Sequence, residues 1–106
     1  MYARIVTSNL KPNRLNDFTE MFEKQVIPML RKQNGFKDEI TFVAPNGIEV
    51  RTISFWDKKE NAESYSSTTY PEVLKVLANI LEGTPQVKTY DVVHSTVHKI
   101  PTLATV

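Results

Sequence analysis

The hydrophobic period of the chain changes abruptly at Trp56. Up to that residue, GIEVRTISFW (Gly47–Trp56) reads as an apolar strand; directly after it, DKKENAESYSSTTY reads as a charged helix that starts at Asp57. A switch from period two to period 3.6 without a linker means that strand end and helix start share one corner. Asp57 with Glu60 three places on is an Asp version of the capping box, the expected helix start. The only Trp and two of the four Tyr, Tyr65 and Tyr70, lie within fifteen positions of one another. This corner is where the wall of a pocket is expected.

The rest of the chain arranges itself around that corner. Tyr2–Ser8 reads as a first strand, with Ile5 and Val6 side by side. A turn follows, with Asn13 as helix N-cap. Leu15, Phe18, Met21, Phe22, Val26, Met29 and Leu30 then form an apolar stripe, predicting a helix over about 14–34. Pro28 lacks a backbone donor and should kink that helix or begin a separate last turn. Gly35 ends it. Phe36–Val43 and Ile48–Trp56 are paired strands joined by the turn Ala44-Pro45-Asn46-Gly47. Tyr70-Pro71 interrupts the second helical region, and Pro71 suits the first turn of a further helix over about 71–81. Val73, Leu74, Val76, Leu77, Ile80 and Leu81 would be its buried face, with Gly83 and Pro85 stopping it. A last strand is expected over 87–97. The order is β-α-β-β-α-β: an α+β, ferredoxin-like fold whose antiparallel four-stranded sheet has helices on one face.

With 106 residues, this is one domain with a core over 2–98 and a tail over 99–106. There is no Cys, which excludes disulfides and thiolate chemistry. Thirteen Lys and Arg against twelve Asp and Glu give no reason to expect nucleic acid or an anionic membrane as partner. MYARIVTSNL turns polar too early for a signal-peptide core, so a cytoplasmic location is expected. No apolar run approaches the roughly 20 residues that cross a bilayer. A sheet with one bare face should alternate apolar and polar residues. Here Val50 and Ile53, Ile5 and Val6, Phe42 and Val43, and Val92 and Val93 point both ways. A second copy would cover the bare face, predicting a homodimer on which the tail, with Ile100, Leu103 and Val106, packs.

The block Ile53-Ser54-Phe55-Trp56-Asp57-Lys58-Lys59-Glu60-Asn61-Ala62-Glu63-Ser64-Tyr65 resembles the antibiotic biosynthesis monooxygenase (ABM-like) family of dimeric α/β barrels. There an apolar strand ends in Trp and a polar turn leads into a helix of the form K-x-A-x-x-Y/W. Asn34-Gly35-Phe36 is a second match, and the element order agrees over residues 2–98. The resemblance implies one of three things: a cofactor-free monooxygenase of phenols or quinols, a heme-degrading protein, or a member without known reaction.

A cofactor-free oxygenase must favour the anion of an electron-rich aromatic in a dry pocket, and aimed amide or phenol donors do this. The resemblance places such groups at Asn9, Trp56 and Tyr65, with Tyr70 nearby. Asn9 and Tyr65 would donate hydrogen bonds and Trp56 would be an aromatic wall. Each also has a plainer reading: Asn9 as a turn residue, Trp56 as core, the tyrosines as helix-edge residues. Arg51, within a central strand, either binds an anionic substrate or pairs with Glu49 or another acid. His94 and His98 would share one strand face with Thr96. On a strand they stand about 13 Å apart, too far for one metal ion. Either could act as a base, His94 foremost, or simply be exposed. Heme degradation needs a helical His, but that position falls near Lys75, and no His occurs from Asp57 to Tyr90. No nucleotide-cradling loop is present, and no cofactor or metal is expected.

Three readings follow: a cofactor-independent monooxygenase of a small phenolic or quinone-type aromatic, a non-catalytic dimeric small-ligand-binding or stress-response protein, and, disfavoured, a heme protein. All three rest on the covered sheet. Light scattering at micromolar concentration should therefore give the mass of two chains; the mass of one would overturn the homodimer.

Overall fold

The computed structural model describes residues 1–100; Leu103 and Val106, expected to pack on a partner, lie outside the described residues. Four strands, β1 (Tyr2–Leu10), β2 (Phe36–Val43), β3 (Glu49–Trp56) and β4 (Leu81–Asp91), form one sheet in the order β2-β3-β1-β4. Every neighbouring pair is antiparallel. The helices are α1 (Leu15–Met21), α2 (Ile27–Arg31), α3 (Lys59–Thr68) and α4 (Tyr70–Leu77). This is the ferredoxin-like α+β arrangement that the sequence predicts.

Alternation along the two central strands sorts the residues. Arg4, Val6 and Leu10 of β1 and Val50, Ser54 and Trp56 of β3 are buried towards the helices. Of these, Leu10, Val50 and Trp56 meet Phe18, Phe22, Val26, Leu30, Ala62, Tyr65, Val73 and Leu77 in one core. The opposite face shows Ile40 and Phe42 of β2 and Tyr90 of β4, 43%, 52% and 51% exposed. An apolar face of this kind is what the homodimer expectation rests on.

Pro28 shapes the first helical stretch. Its ring cannot sit against the carbonyl four residues earlier, at Lys24, in a regular helix. The turn just before it, Phe22–Val26, is widened into a π-helix, and α2 starts with Pro28 in its first turn.

Several local expectations are corrected. Asn13 is not the N-cap of α1: it holds a left-handed φ of 62°, and Arg14 occupies the cap position. Asp57 does not form the capping box either, because Lys58 is the cap residue and no side chain bonds the first turn. Its carboxylate instead accepts a hydrogen bond from Asn61 Nδ2 at 2.8 Å. The last helix ends at Leu77, so Ile80 is a turn residue and Leu81 begins β4. Gly83 and Pro85 therefore do not stop a helix. Thr7 pairs with Gln86 and Asn9 with Glu82, so Gly83, Thr84 and Pro85 bulge opposite Ser8 alone. An edge strand tolerates such a bulge and a Pro within it. The expected strand over 87–97 stops at Asp91, so Val92, Val93, His94, Thr96 and His98 line no strand face.

The corner after Trp56 is clasped by Gly35. Its carbonyl accepts the Asp57 N–H at 2.8 Å, and its φ is +78°. A Cβ there would collide with the Asp57 carboxylate and the Asn61 amide, whereas at Gly47 (φ +72°) it would meet nothing within 4 Å. Gly35→Ala is expected to cost about 2–3 kcal/mol and Gly47→Ala about 1 kcal/mol, strain alone, in urea denaturation. Equal losses would mean that the Gly35–Asp57 approach is not tight.

Candidate functional site

The interior of the helix side is not wholly filled. A void of about 40 Å³ lies between sheet and helices, lined by Val6, Phe18, Phe22, Leu77 and other apolar side chains together with Arg4, Glu39, Tyr65 and Tyr70. That is space for roughly three water molecules. Phe18, Phe22 and Glu39 also line a surface cleft of about 570 Å³ bounded by Thr19, Glu23, Pro28, Arg31 and Thr41. The Phe18 and Phe22 rings, 5.4 Å apart, therefore stand between void and solvent. Displacing them would join the two spaces.

Four residues of the Trp56 corner form an aromatic row ending on a cation. Trp56, with no exposure, donates its indole N–H to Ser54 Oγ at 2.9 Å and meets Phe36 edge-on at 5.7 Å. The Tyr65 ring lies 5.1 Å from Trp56 and 6.2 Å from Tyr70. The Arg4 guanidinium sits 4.0 Å from the Tyr70 ring centroid and 5.3 Å from that of Tyr65. Pro71 in the first turn of α4 fixes the backbone beside Tyr70, which brings its ring over Arg4.

Arg4 is 3% exposed, and among the described residues no carboxylate comes within ion-pair distance of it. Burial lowers its pKa, and the two tyrosines oppose that. An arginine nonetheless keeps its charge. The ring faces stabilise that charge by about 0.5–2 kcal/mol, less than a buried unpaired ion costs. Burial pushes the Tyr65 hydroxyl up to about 12 and raises that of Tyr70, in both cases against the pull of Arg4. Both phenols are therefore hydrogen-bond donors rather than bases near neutrality. Glu39 is the other charge on the void. Burial raises its pKa, the Thr41 hydroxyl bond lowers it, and the Asp38 charge raises it.

The corner thus brings together Trp56, Tyr65 and Tyr70, with Trp56 behind Tyr65 rather than on the void. Asn9 is exposed and shares the helix-free face with its register partner Glu49, away from the three aromatics. Arg51, on that same face, pairs with Glu49 at 3.6 Å. His94 is exposed beyond the end of β4. His98 lies against the helix-free face, its ring 5.9 Å from that of Phe55 and its Nε2 3.3 Å from Asp38 Oδ2. Lys75, at the position where a heme ligand would be needed, forms a surface ion pair with Glu72 at 3.3 Å. No group of three or more His, Asp or Glu suited to a metal occurs among the described residues. Arg4 and Glu39 escaped the sequence reading. A charged residue in register with Val6 and Leu10 of a central strand was the available signal.

No family model matches this sequence, and no curated protein does. Its fold, however, recurs in solved structures. SnoaB, a cofactor-independent oxygenase from Streptomyces nogalater, is 9% identical with a TM-score of 0.75, over 92% of this chain and 97% of that one. A monooxygenase from the gene ActVA-Orf6 of Streptomyces coelicolor, in complex with the ligand nanaomycin D, is 16% identical with a TM-score of 0.75, over 95% and 92%. A structure named antibiotic biosynthesis monooxygenase gives 14% identity and a TM-score of 0.72, over 89% and 100%. At such identities the likeness establishes an ABM-like fold and nothing finer.

The Tyr65 hydroxyl keeps its proton in the folded chain up to about pH 12, while the unfolded chain releases it near 10. Between those values the folded state holds more protons, so stability falls as pH rises, by about 2–3 kcal/mol in all. Urea midpoints at pH 9 and 11.5 should show this loss in wild type and a smaller one in Tyr65→Phe. An unchanged loss would place the titration elsewhere.

Proposed function

We propose that this protein is a cofactor-independent monooxygenase acting on a small phenolic or quinone-type aromatic held in the helix-side void. The observation that carries the reading is the buried guanidinium of Arg4, stacked on Tyr70 and without an ion-pair partner among the described residues, on a mainly apolar and aromatic cavity whose other charge is Glu39. An electron-rich aromatic reacts with O₂ far more readily as its anion, and a fixed cation in a dry site favours that anion. Tyr65 and Tyr70 are the phenol donors of the substrate oxygens, and Trp56 holds Tyr65 in place. The names of the SnoaB and ActVA-Orf6 proteins support the same chemistry at the level of fold.

The substrate enters from the cleft beside Thr19 and Pro28 by turning Phe18 and Phe22 aside. Asn9, Arg51 and His94 would serve instead a reaction placed on the opposite face of the sheet. There a partner copy would roof the apolar residues Ile40, Phe42 and Tyr90, and we propose a homodimer of that kind. The second reading is a non-catalytic ligand-binding module. Both readings require Phe18 and Phe22 to move, because about 40 Å³ is too small for an aromatic ring. No membrane partner is proposed: no helix among the described residues is long and apolar enough to cross a bilayer. One domain, placed in the cytoplasm, suits this reading.

Oxygen uptake with a panel of quinols and anthrone-like phenols, without added flavin or metal, tests the reaction. Wild type should consume oxygen. Tyr65→Phe should lower the rate about tenfold and Arg4→Met about a hundredfold. Loss of activity in Asn9→Ala alone would move the site to the other face. No uptake with any substrate would favour the binding module.

A further inference from the structure

We infer that Glu39 is the proton acceptor of this cavity, acting across it from Arg4 on a planar hydroxyaromatic with an ionisable O–H at one end and a conjugated electron-accepting oxygen at the other. This rests on the helix-side ligand site proposed above. Arg4 pairs with Ser54 across β1 and β3, and Ser54 pairs with Glu39 across β3 and β2. The three residues form one transverse row, pointing to the same face. With strands about 4.8 Å apart, the Cα atoms of Arg4 and Glu39 stand about 10 Å apart. They form no ion pair, and the Ser54 oxygen between them is engaged by the Trp56 indole. A cation and an anion therefore flank a polar gap that neither closes. Arg4 lies at the aromatic inner end. Glu39 lies at the outer end, where void and cleft share it.

The surroundings of Glu39 suit a base. Its Oε2 accepts a hydrogen bond from Thr41 Oγ1 at 2.6 Å, which fixes the carboxylate. Asp38 and Lys37 precede it on β2, and Glu23 and Arg31 face it across the outer clefts. Burial adds basicity, bringing the carboxyl nearer to the range of acidic phenols. In the step itself the ligand O–H bond breaks and its proton passes to a Glu39 carboxylate oxygen. The electron pair stays on the ligand, and conjugation moves the negative charge to the distal oxygen beside Arg4. Atoms and charge balance without any oxidant. A carboxylate and a ligand anion would repel each other here, so the complex retains one proton shared between them.

That retained proton is measurable. The affinity of the whole protein for 4-nitrophenol, whose anion is coloured, would be measured from below to above the pKa of the probe. Above that pKa the wild-type affinity should fall about tenfold per pH unit, because binding must recover a proton that both free species have lost. Glu39→Gln should bind the anion with an affinity that no longer depends on pH there. Arg4→Met should bind at least tenfold more weakly, while Arg4→Lys, which keeps the charge but loses the planar guanidinium stacked on Tyr70, should fall between Arg4→Met and wild type. Identical pH profiles for wild type and Glu39→Gln would overturn the inference, as would failure of wild type to bind the probe. If the profiles differ as stated but no quinol consumes oxygen, the monooxygenase reading fails and the Glu39–Arg4 pair stands. If oxygen uptake depends on Arg4 while the profiles coincide, Glu39 alone is removed.

Discussion

The stack of Arg4 on Tyr70 sets the terms for the helix side of this molecule. A guanidinium that is 3% exposed and has no carboxylate beside it among the described residues is an expense for the fold. Two tyrosine faces offset part of it, and they do so where α3 gives way at Thr69 to α4, which starts at Tyr70 with Pro71 in its first turn. Tyr65 is in turn packed on Trp56, whose indole is tied to Ser54, the β3 neighbour of Arg4 in the sheet. Cation, aromatic row and sheet thus form a closed loop of contacts in which each member fixes the next. What remains uncompensated is the charge itself, and an oxygen anion is the species that would complete it.

The sheet divides the protein into two different environments. Towards the helices, Arg4, Ser54 and Glu39 place a polar row under an apolar roof, an arrangement that a structural core alone does not need. On the other side Ile40 and Phe42 of β2 and Tyr90 of β4 are exposed beside the polar Gln86 and Lys88, and Arg51 pairs with Glu49. A ligand suits the first environment and a second sheet suits the second. The fold shared with SnoaB and the ActVA-Orf6 monooxygenase is compatible with both uses and decides neither.

The backbone irregularities serve the same site. The π-turn before Pro28 shifts the register of the helix that carries Phe18 and Phe22, the two rings between void and cleft. Gly35 lets the start of α3 approach β2 closely enough for Phe36 to cover Trp56. The Gly83–Pro85 bulge bends β4 so that Leu81 and Pro85 can line the void from the far edge.

Element order was legible in the sequence because period and turn chemistry are local. The strand end at Trp56 and the turn at Gly47 stand where those residues place them, while the following helix starts two residues after Asp57, at Lys59, and its break falls at Thr69, just ahead of Tyr70-Pro71. The proximity of Trp56, Tyr65 and Tyr70 followed from the same local reasoning. Local rules misread β4, since Gly83 and Pro85 signal a stop until the strand is known to be an edge with a bulge. They also could not say which way Asn9 or Arg4 points. Val6 and Ile5 are equally apolar, so alternation left two choices of inward face, and only the packing of helices against Leu10, Val50 and Trp56 selected one. That single selection buries Arg4, exposes Asn9 and brings Glu39 into line with Ser54. The Arg4–Ser54 pairing joins residues 50 positions apart, a distance over which no local pattern carries information.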